Sequence, residues 1–400
     1  MENLDKKREV TSELPPNVKT LSWVSFFNDV ASEMIYPIVP IFLTSVLKTS
    51  IVSVGIIEGF AEATASLLKL FSGIYSDKIR RRKPFVIFGY SLSTLAKPVI
   101  GLATGPFGVL LGRLLDRTGK GIRTAPRDAL ISESVRKEDK GKAFGYHRAF
   151  DTMGAVVGPL IALLLVIVFK DNLRPIFFIA TVPAIIGVLL LVFVLKEKSR
   201  DVTVTEKKVI QKLSFKNLPT SFKLFLATSF IFAIGNSSDA FLILRSKDLG
   251  FSTTEAIFAY VLFNIVYAGF SYGAGKLSDG IGSKKILFVG FAVFALVYGT
   301  FGLTHTASLL WILFPVYGLY MAFTDGVGKA FVARLIPQEA LGSAFGLYQG
   351  VTGIATLFAS IIAGFVWSIY GAEYVFIFGA VTATLALVSL LFIQEKNHLI

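Results

Sequence analysis

The sequence predicts an all-α membrane protein in which twelve transmembrane helices form two pseudo-symmetric six-helix bundles. Hydrophobic residues make up 54% of the 400 residues and charged residues only 17%, whereas soluble chains are roughly 45–50% apolar and about 25% charged. Apolar segments long enough to span a bilayer, which takes ~20 residues each, follow one another from Leu21 onward. Two local motifs also recur about 200 residues apart, which indicates an internal repeat.

The first half is expected to begin after a cytoplasmic tail at 1–19, which lacks the basic start and apolar core of a signal peptide. The first bundle, 20–195, contains spans at 20–45, 51–77, 84–104, 106–132, 141–169 and 173–195. The polar segment 196–219 is interpreted as a cytoplasmic linker. The second bundle, 220–394, contains spans at 220–246, 254–277, 284–304, 307–334, 340–368 and 372–394, followed by a cytoplasmic tail at 395–400.

The distribution of basic residues predicts the orientation of the chain. Its formal net charge is +13, and about 25 lysines and arginines fall on the termini and on loops of the same side, against about four on the other side. Because basic loops stay in the cytoplasm, both termini are expected there, in a cell inner membrane. No basic soluble domain is left over, so nucleic-acid binding is not expected.

Several classes of chemistry find no support in the sequence. The chain has no cysteine, which excludes disulfides and thiol or zinc–cysteine chemistry. It also has no HExxH motif and no histidine cluster, so neither an enzyme nor a cofactor is predicted. A membrane-embedded carrier of small molecules, acting as a monomer, is the expectation that remains.

The repeated motifs predict how the two bundles are related. Gly73-Ile74-Tyr75-Ser76-Asp77 returns 202 residues later as Gly275-Lys276-Leu277-Ser278-Asp279, and each copy is followed by basic residues. Gly141-Lys142-Ala143-Phe144-Gly145 returns 201 residues later as Gly342-Ser343-Ala344-Phe345-Gly346. Two parallel six-helix repeats are typical of transporters that work by alternating access.

These motifs resemble those of the major facilitator superfamily over nearly the whole chain. The loop from Gly73 to Lys83 is similar to the superfamily motif G-x-x-x-D-x-x-G-R-R, with Arg80 in place of the second glycine, which the second half retains as Gly282. Span 4 carries a similar arginine motif in Gly112-Arg113-x-x-Asp116. Span 5 resembles the antiporter motif through Gly145, Gly154, Gly158 and Pro159, with Ala162 and Leu163 at its usual pair of small residues. The resemblance implies the two-bundle fold and a cavity lined by spans 1, 2, 4 and 5 and their counterparts 7, 8, 10 and 11.

Charged residues inside the spans are the candidate site residues, because an ionisable group at mid-membrane costs ~2.5–3.5 kcal/mol and is a functional hypothesis by default. Span 4 carries a charged stripe within an arc of about 140°, formed by Arg113, Asp116, Arg117, Lys120, Arg123, Arg127 and Asp128. One interpretation is a wall of the substrate path, expected for Arg113, Arg117 and Lys120 together with Asp29 and Glu33 of span 1. The other is interhelical ion pairing, expected for Arg123, Arg127 and Asp128.

The remaining candidates are spread over both halves. Spans 2 and 5 supply Glu58, Glu62, His147 and Asp151 to the predicted path. In the second half the path includes Asn236, Asp239, Asp325 and Lys329, although the last two are four residues apart and could simply pair; Asp239 is matched to Asp29 by position in the repeat. Asn264, Tyr267 and Tyr272 of span 8 could bind a substrate or another helix. The repeated loops are interpreted as conformational latches made by Gly73, Asp77, Arg81, Gly275, Asp279 and Lys284.

The predicted function is secondary active transport of a small molecule across the membrane. Proton coupling is expected, because burial favours the neutral form of a carboxyl group, and Asp29, Glu33, Glu62 and Asp239 are the candidate carriers. The basic stripe favours an anionic or amphipathic organic solute, and the glycines of span 5 favour export by an antiporter. A metal-ion or metal-chelate transporter and a transport-inactive scaffold or sensor remain as alternatives, although three histidines and four methionines offer few soft ligands.

Overall fold

The computed structural model describes residues 14–79, 81–136, 139–197, 218–337 and 340–394, without the side chains of residues 70 and 73–79. Within these ranges the chain is helical and contains no strand. The six helices of the first half are α1 (Pro16–Ile35, then Ile38–Ile41 and the π-helical turn Phe42–Val46), α2 (Ile51–Ile79), α3 (Lys83–Leu102), α4 (Pro106–Glu133), α5 (Lys140–Val168) and α6 (Arg174–Phe193).

The second half repeats this order. Its helices are α7 (Thr220–Gly235, then Ala240–Asp248), α8 (Thr253–Ile281), α9 (Ser283–Leu303), α10 (Leu310–Leu335), α11 (Leu341–Tyr370) and α12 (Ala372–Leu391). Among the described residues, eleven of these helices are long and apolar enough to cross a membrane. The chain is therefore an all-α, multi-pass membrane protein, as predicted.

Helix α4 does not meet this criterion, because it carries many charged residues. Its 28 residues extend about 42 Å at 1.5 Å per residue, which exceeds the ~30 Å hydrocarbon core. The charged stripe defined above lies within it, so its composition is too polar for a lipid-facing span. Because α2 and α3 both pack against α4, the stripe is shielded from lipid by protein.

Two lysines from the repeated loops show that the sequence repeat is also a structural one. We call the end of the bundle where α1 begins and α12 ends the terminal face, and the other end the opposite face. At the terminal face Lys83 donates to the carbonyl oxygens of Val192 and Leu195 at the end of α6, at 3.1 and 2.5 Å. Lys284 donates to Leu391 and Ile393 beyond α12, at 3.0 and 2.7 Å. A lysine at a helix C-terminus satisfies carbonyl groups that have no partner within the helix.

Both α1 and α7 are interrupted at equivalent points. The first α-helical segment of α1 ends at Ile35, just before Pro37, and proline disrupts the regular helical hydrogen bonding. The first segment of α7 ends at Gly235, and its second segment starts at Ala240. The offset of about 200 residues matches Asp239 to the interruption of α1 and not to Asp29, which corrects the predicted equivalence.

The two halves are closed against each other toward the opposite face. There α2 packs on α11 through glycines that leave no room for side chains. A Cβ atom at Gly364 would lie 3.0 Å from the Cα atom of Val52, and one at Gly55 would collide with the carbonyl oxygen of Ser360. The second segment of α7 packs on Ile38–Ile41 of α1 in the same region. The opposite face therefore closes by direct contact between helix backbones.

This close packing predicts that Gly55→Val weakens the closed arrangement. Overpacking costs about 1–3 kcal/mol, which corresponds to a rise of about 5-fold to 150-fold in the population of opened molecules. Because the chain has no cysteine, Ser360→Cys supplies a single reporter at a fully buried position of α11. We expect its labelling rate with a maleimide to rise at least about fivefold when Gly55→Val is added.

Gly105→Val is the matched control for this measurement. A Cβ atom at Gly105 would meet nothing within 4 Å, so this variant should leave the labelling rate of Ser360→Cys unchanged. Equal rates in the Gly55→Val and Gly105→Val backgrounds would contradict the proposed role of the glycine contact.

Candidate functional site

A cavity of about 590 Å³ lies between the two halves. This volume lies within the usual range for small-molecule sites. Most of the cavity-lining charges come from the first half, whereas the second half contributes mainly aromatic and uncharged polar side chains. The first half contributes Asp29, Glu33, Tyr36, Glu62, Lys69, Arg117, Lys120, Arg123, Arg127, Asp128, Arg148 and Asp151 to the wall; the second half contributes Asn236, Ser237, Ser238, Asp239, Tyr260, Phe263, Asn264, Tyr267, Tyr317, Met321, Asp325 and Lys329.

Asp29 and Glu33 of α1 are held at the cavity by glycines of α5. A Cβ atom at Gly154 would lie 2.9 Å from the Cβ atom of Asp29, and one at Gly158 would lie 3.0 Å from that of Glu33. Both would also come within 2.8 Å of carbonyl oxygens of α1. The span-5 glycines therefore allow α1 to approach closely at the two carboxyl groups that the sequence singled out.

The stripe of α4 combines paired and unpaired charges along the cavity wall. Arg117 forms an ion pair with Glu62 of α2 at 2.7 Å. Arg127 pairs with its neighbour Asp128 at 2.9 Å. Arg123 donates to the hydroxyl of Ser93 and lies over the ring of Tyr90, 4.4 Å from its centroid. Lys120 is exposed in the cavity, with no carboxylate oxygen within 4 Å among the described side chains.

A second ion pair is buried behind the wall. Arg113 donates to Glu58 at 2.5 Å, and the two residues are only 2% and 1% exposed. Ser238 of α7 donates to the same carboxylate at 3.3 Å, and the Arg113 guanidinium lies 5.6 Å from the ring centroid of Tyr36. The pair therefore joins α2 and α4 and reaches the second half, on the side of the cavity toward the opposite face.

Three cavity carboxyl groups have no cationic partner within 4 Å among the described residues. The amide of Asn28 donates to Asp29 at 3.3 Å. The hydroxyl of Tyr260 in α8 donates to Glu33 at 3.0 Å, which connects the two halves. The hydroxyl of Tyr317 in α10 donates to Asp239 at 2.7 Å. Neutral donors thus replace ion pairs at these three positions.

A network of exposed side chains connects the halves on the side of the terminal face. Arg148 of α5 lies 3.5 Å from Asp325 of α10 and donates to the hydroxyl of Tyr267 at 2.9 Å. Tyr267 in turn donates to Asp325 at 2.7 Å, and Lys329 lies 3.9 Å from the same carboxylate. The side chain of Arg148 is 59% exposed, whereas Arg113 is buried. The cavity therefore opens toward the terminal face.

Most of the predicted path residues line one cavity. Asp29, Glu33, Glu62, Arg117, Lys120, Asp151, Asn236, Asp239, Asp325 and Lys329 all do so. Glu58, Arg113 and His147 lie behind the wall, His147 being buried 3.6 Å from Asp151. Tyr272 is 83% exposed and lies outside the cavity, whereas Asn264 and Tyr267 line it. Arg123, Arg127 and Asp128 make the polar contacts described above and also line the cavity.

Several wall residues were not predicted. Tyr36, Tyr260 and Tyr317 belong to apolar helical stretches in which nothing distinguishes a cavity tyrosine from a packed one. Arg148 is different, because it precedes Asp151 by three residues and so falls on the same helix face. Lys69 likewise follows Glu62 by seven residues. Helical spacing from an acidic residue already predicted to line the path could therefore have identified both basic residues.

The latch residues are only partly within the described structure. The side chains of Gly73 and Asp77 lie outside it, and Arg81 is exposed. The Asp279 carboxylate is 82% exposed and lies 3.6 Å from Arg334 of α10. Lys284 binds the end of α12, as described above. Gly275 is open, since a Cβ atom there would meet nothing within 4 Å. The contacts observed for Asp279 and Lys284 therefore join helices of the second half to one another.

Comparisons with known proteins agree with this architecture. A family model described as Major Facilitator Superfamily matches residues 21–245 and, again, residues 224–399. An uncharacterised transporter of that type from Methanocaldococcus jannaschii is 40% identical over 398 residues, 98% of each chain. The multidrug resistance protein MdtG of Citrobacter koseri is 25% identical over 386 residues, 91% of this chain and 92% of its own. The crystal structure of the nucleoside transporter NupG has the same fold, with a TM-score of 0.75 at 17% identity, covering 94% of this chain and 98% of that chain.

The buried pair predicts a large and specific loss of stability. Removing one member of a buried ion pair leaves an unpaired charge and costs about 3–5 kcal/mol, whereas an apolar replacement of both is often neutral. We expect Glu58→Leu and Arg113→Met each to lower the thermal unfolding temperature in detergent, measured by tryptophan fluorescence. The double variant should unfold closer to the unmodified protein than either single variant. A double variant whose loss equals the sum of the two single losses would contradict this coupling.

Proposed function

The chain belongs to the Major Facilitator Superfamily, and from this premise we propose that it is a proton-coupled secondary transporter of an anionic or amphipathic organic solute. The central cavity is the proposed substrate site. Rocking of the two halves about it would expose the cavity alternately to the two faces of the membrane.

One observation carries the proposal: unpaired charges of both signs face the same cavity. Among the described residues, Asp29, Glu33 and Asp239 receive hydrogen bonds from neutral donors only. Burial without a cation favours the neutral form of a carboxyl group, so such a group can take up and release a proton during a transport cycle. Lys120, exposed on the facing wall without a carboxylate partner, is suited to attract the anionic part of a solute.

The geometry of the gates supports alternating access. The opposite face is closed by backbone contact between α2 and α11, whereas the terminal face is bridged by exposed side chains at Arg148 and Asp325. Exposed ion pairs contribute only about 0–1 kcal/mol each, so they can break and re-form during a cycle. From the excess of basic loops we assign the terminal face to the cytoplasm, which makes this structure open to the inside.

Export is the proposed direction of transport. The relative named for multidrug resistance and the resemblance of Gly145, Gly154 and Gly158 to the antiporter motif both favour it. The metal alternative has less support, because the described residues contain no group of three histidine, aspartate or glutamate side chains able to hold an ion. The scaffold alternative offers no reason for unpaired charges in a cavity of this size.

The proposal predicts that Asp29→Asn and Glu33→Gln uncouple transport from the proton gradient. The purified protein is first screened by thermal shift against organic anions and amphipathic drugs, and a radiolabelled hit is then followed in proteoliposomes. We expect each variant to lose at least about 90% of transport driven by an imposed pH gradient. Counterflow of the same solute without a gradient should persist, because exchange requires no net proton movement.

Asp171→Asn is the matched control, because Asp171 is an exposed carboxylate in the loop between α5 and α6, away from the cavity. It should transport at the rate of the unmodified protein. Undiminished gradient-driven transport in both Asp29→Asn and Glu33→Gln would overturn the assignment of the proton to α1. No hit in the screen, together with no proton flux, would favour the scaffold.

A further inference from the structure

Three lysines from both halves face the cavity. Lys69 belongs to α2, Lys120 to α4 and Lys329 to α10, and all three line the cavity wall. Lys69 and Lys120 have no carboxylate oxygen within 4 Å among the described side chains. Lys329 lies 3.9 Å from Asp325, and Asp325 is already engaged by Arg148 and Tyr267.

The lysines lie close enough together to repel one another. Lys69 is repelled by Lys120, Lys329 and Arg117 and attracted by Glu62, which is itself held by Arg117. Like charges that share a water-filled cleft with protein walls repel more strongly than charges in bulk water, because the low-dielectric walls focus their field. Lys69 belongs to the first half and Lys329 to the second, so their repulsion also acts between the two halves across the mouth of the cavity.

The carboxylates in this region are engaged by other partners. Glu62 is held by Arg117 at 2.7 Å, and Asp325 is held by Arg148 and Tyr267. Asp29 and Glu33 also interact with Lys120, but these are the groups to which the proposed function assigns protons. With those two groups protonated, seven basic side chains still line the cavity, against five acidic ones: Glu62, Asp128, Asp151, Asp239 and Asp325.

We propose that the cavity binds an anion with two or more negative charges on its oxygen atoms, such as an organic phosphate or a di- or tricarboxylate. Lys69 and Lys120 would hold it from the first half and Lys329 from the second. The inference rests on the proposed function, because it identifies the solute class of the same cavity. Lysine suits this role because its ammonium group is a flexible point charge with three donors, which selects for charge more than for shape.

Such an anion would also act on the conformation of the protein. Placed between Lys69 and Lys329, it replaces repulsion across the mouth with attraction to both sides. A ligand shifts a conformational equilibrium only by its differential affinity for the two states, and a bridging anion has its highest affinity when both lysines reach it. Binding therefore favours approach of the two halves at the terminal face.

The test measures binding to the purified full-length protein at neutral pH and constant ionic strength, without a gradient. Butyrate, succinate and tricarballylate carry one, two and three carboxylates, succinamide is the neutral analogue of succinate, and glycerol 3-phosphate is compared with glycerol. Isothermal titration calorimetry should show succinate or glycerol 3-phosphate binding at least tenfold more tightly than butyrate, with no binding of glycerol or succinamide. Which of the two dianions binds more tightly distinguishes a carboxylate solute from a phosphate solute.

Three variants assign the effect to the lysines. Lys69→Gln and Lys329→Gln should each weaken binding of the preferred anion at least tenfold, whereas Lys329→Arg, which retains the charge, should bind within about threefold of the unmodified protein. Lys170→Gln, in the loop between α5 and α6, is the control for a lysine outside the cavity and should change nothing. The arginine variant separates loss of charge from a failure to fold.

The outcomes for the solute class and for transport are distinguishable. Equal binding of butyrate and succinate, unaltered affinity in both glutamine variants, or no binding of any multivalent probe would overturn the anion assignment. Those results leave the proposed function standing if another solute shows counterflow that depends on Asp29 or Glu33. Conversely, tight anion binding without any transport would support the site and contradict the transporter cycle.

Discussion

A charge inside a membrane protein must either meet an opposite charge or face water, and the first half of this molecule is organised around that constraint. Helix α4 carries more ionisable side chains than lipid can tolerate. It is therefore enclosed by α2 and α3, whose Glu58 and Ser93 satisfy Arg113 and Arg123, while Lys120 faces the cavity. The part of the stripe that is not covered by protein faces the cavity.

The same constraint divides the charged residues of the described structure into two groups. Some form buried ion pairs that stabilise the structure, and others lack an ion-pair partner and are the ones proposed to act in transport. Arg113 forms a buried ion pair with Glu58, and such a pair resists disruption because either partner alone would be a buried, unpaired charge. In the described part of the chain, Asp29, Glu33 and Asp239 have only neutral donors, so a change in their protonation breaks no ion pair. The hydrogen bond from Tyr260 to Glu33 connects the two halves at one of the carboxyl groups to which the proposed function assigns a proton.

More of the fold than of the candidate site could be predicted from the sequence. Twelve long helices and an internal repeat follow from hydropathy and motif spacing, because the bilayer imposes one element length on every span. Charge in a span also pointed correctly toward the cavity for Asp29 and Lys120. Glu58 and Glu62 share one face of α2, yet only Glu62 reaches the cavity, because depth and the packing of the second half decide exposure. Asp239 was matched to the wrong partner although the motif offset of 201 or 202 residues places it opposite residues 37–38, where α1 is interrupted.

The glycine contacts between α1 and α5 restrict how this protein can evolve. At Gly154 and Gly158 any side chain would displace the helix that carries Asp29 and Glu33. A substitution at either glycine would therefore change the positions of these two carboxyl groups. On the facing wall, Met321, Asn264 and Ala268 line the cavity without ion pairs that must be preserved. Divergence toward a new solute would therefore be freer at these positions of α8 and α10 than at Gly154 and Gly158 of α5.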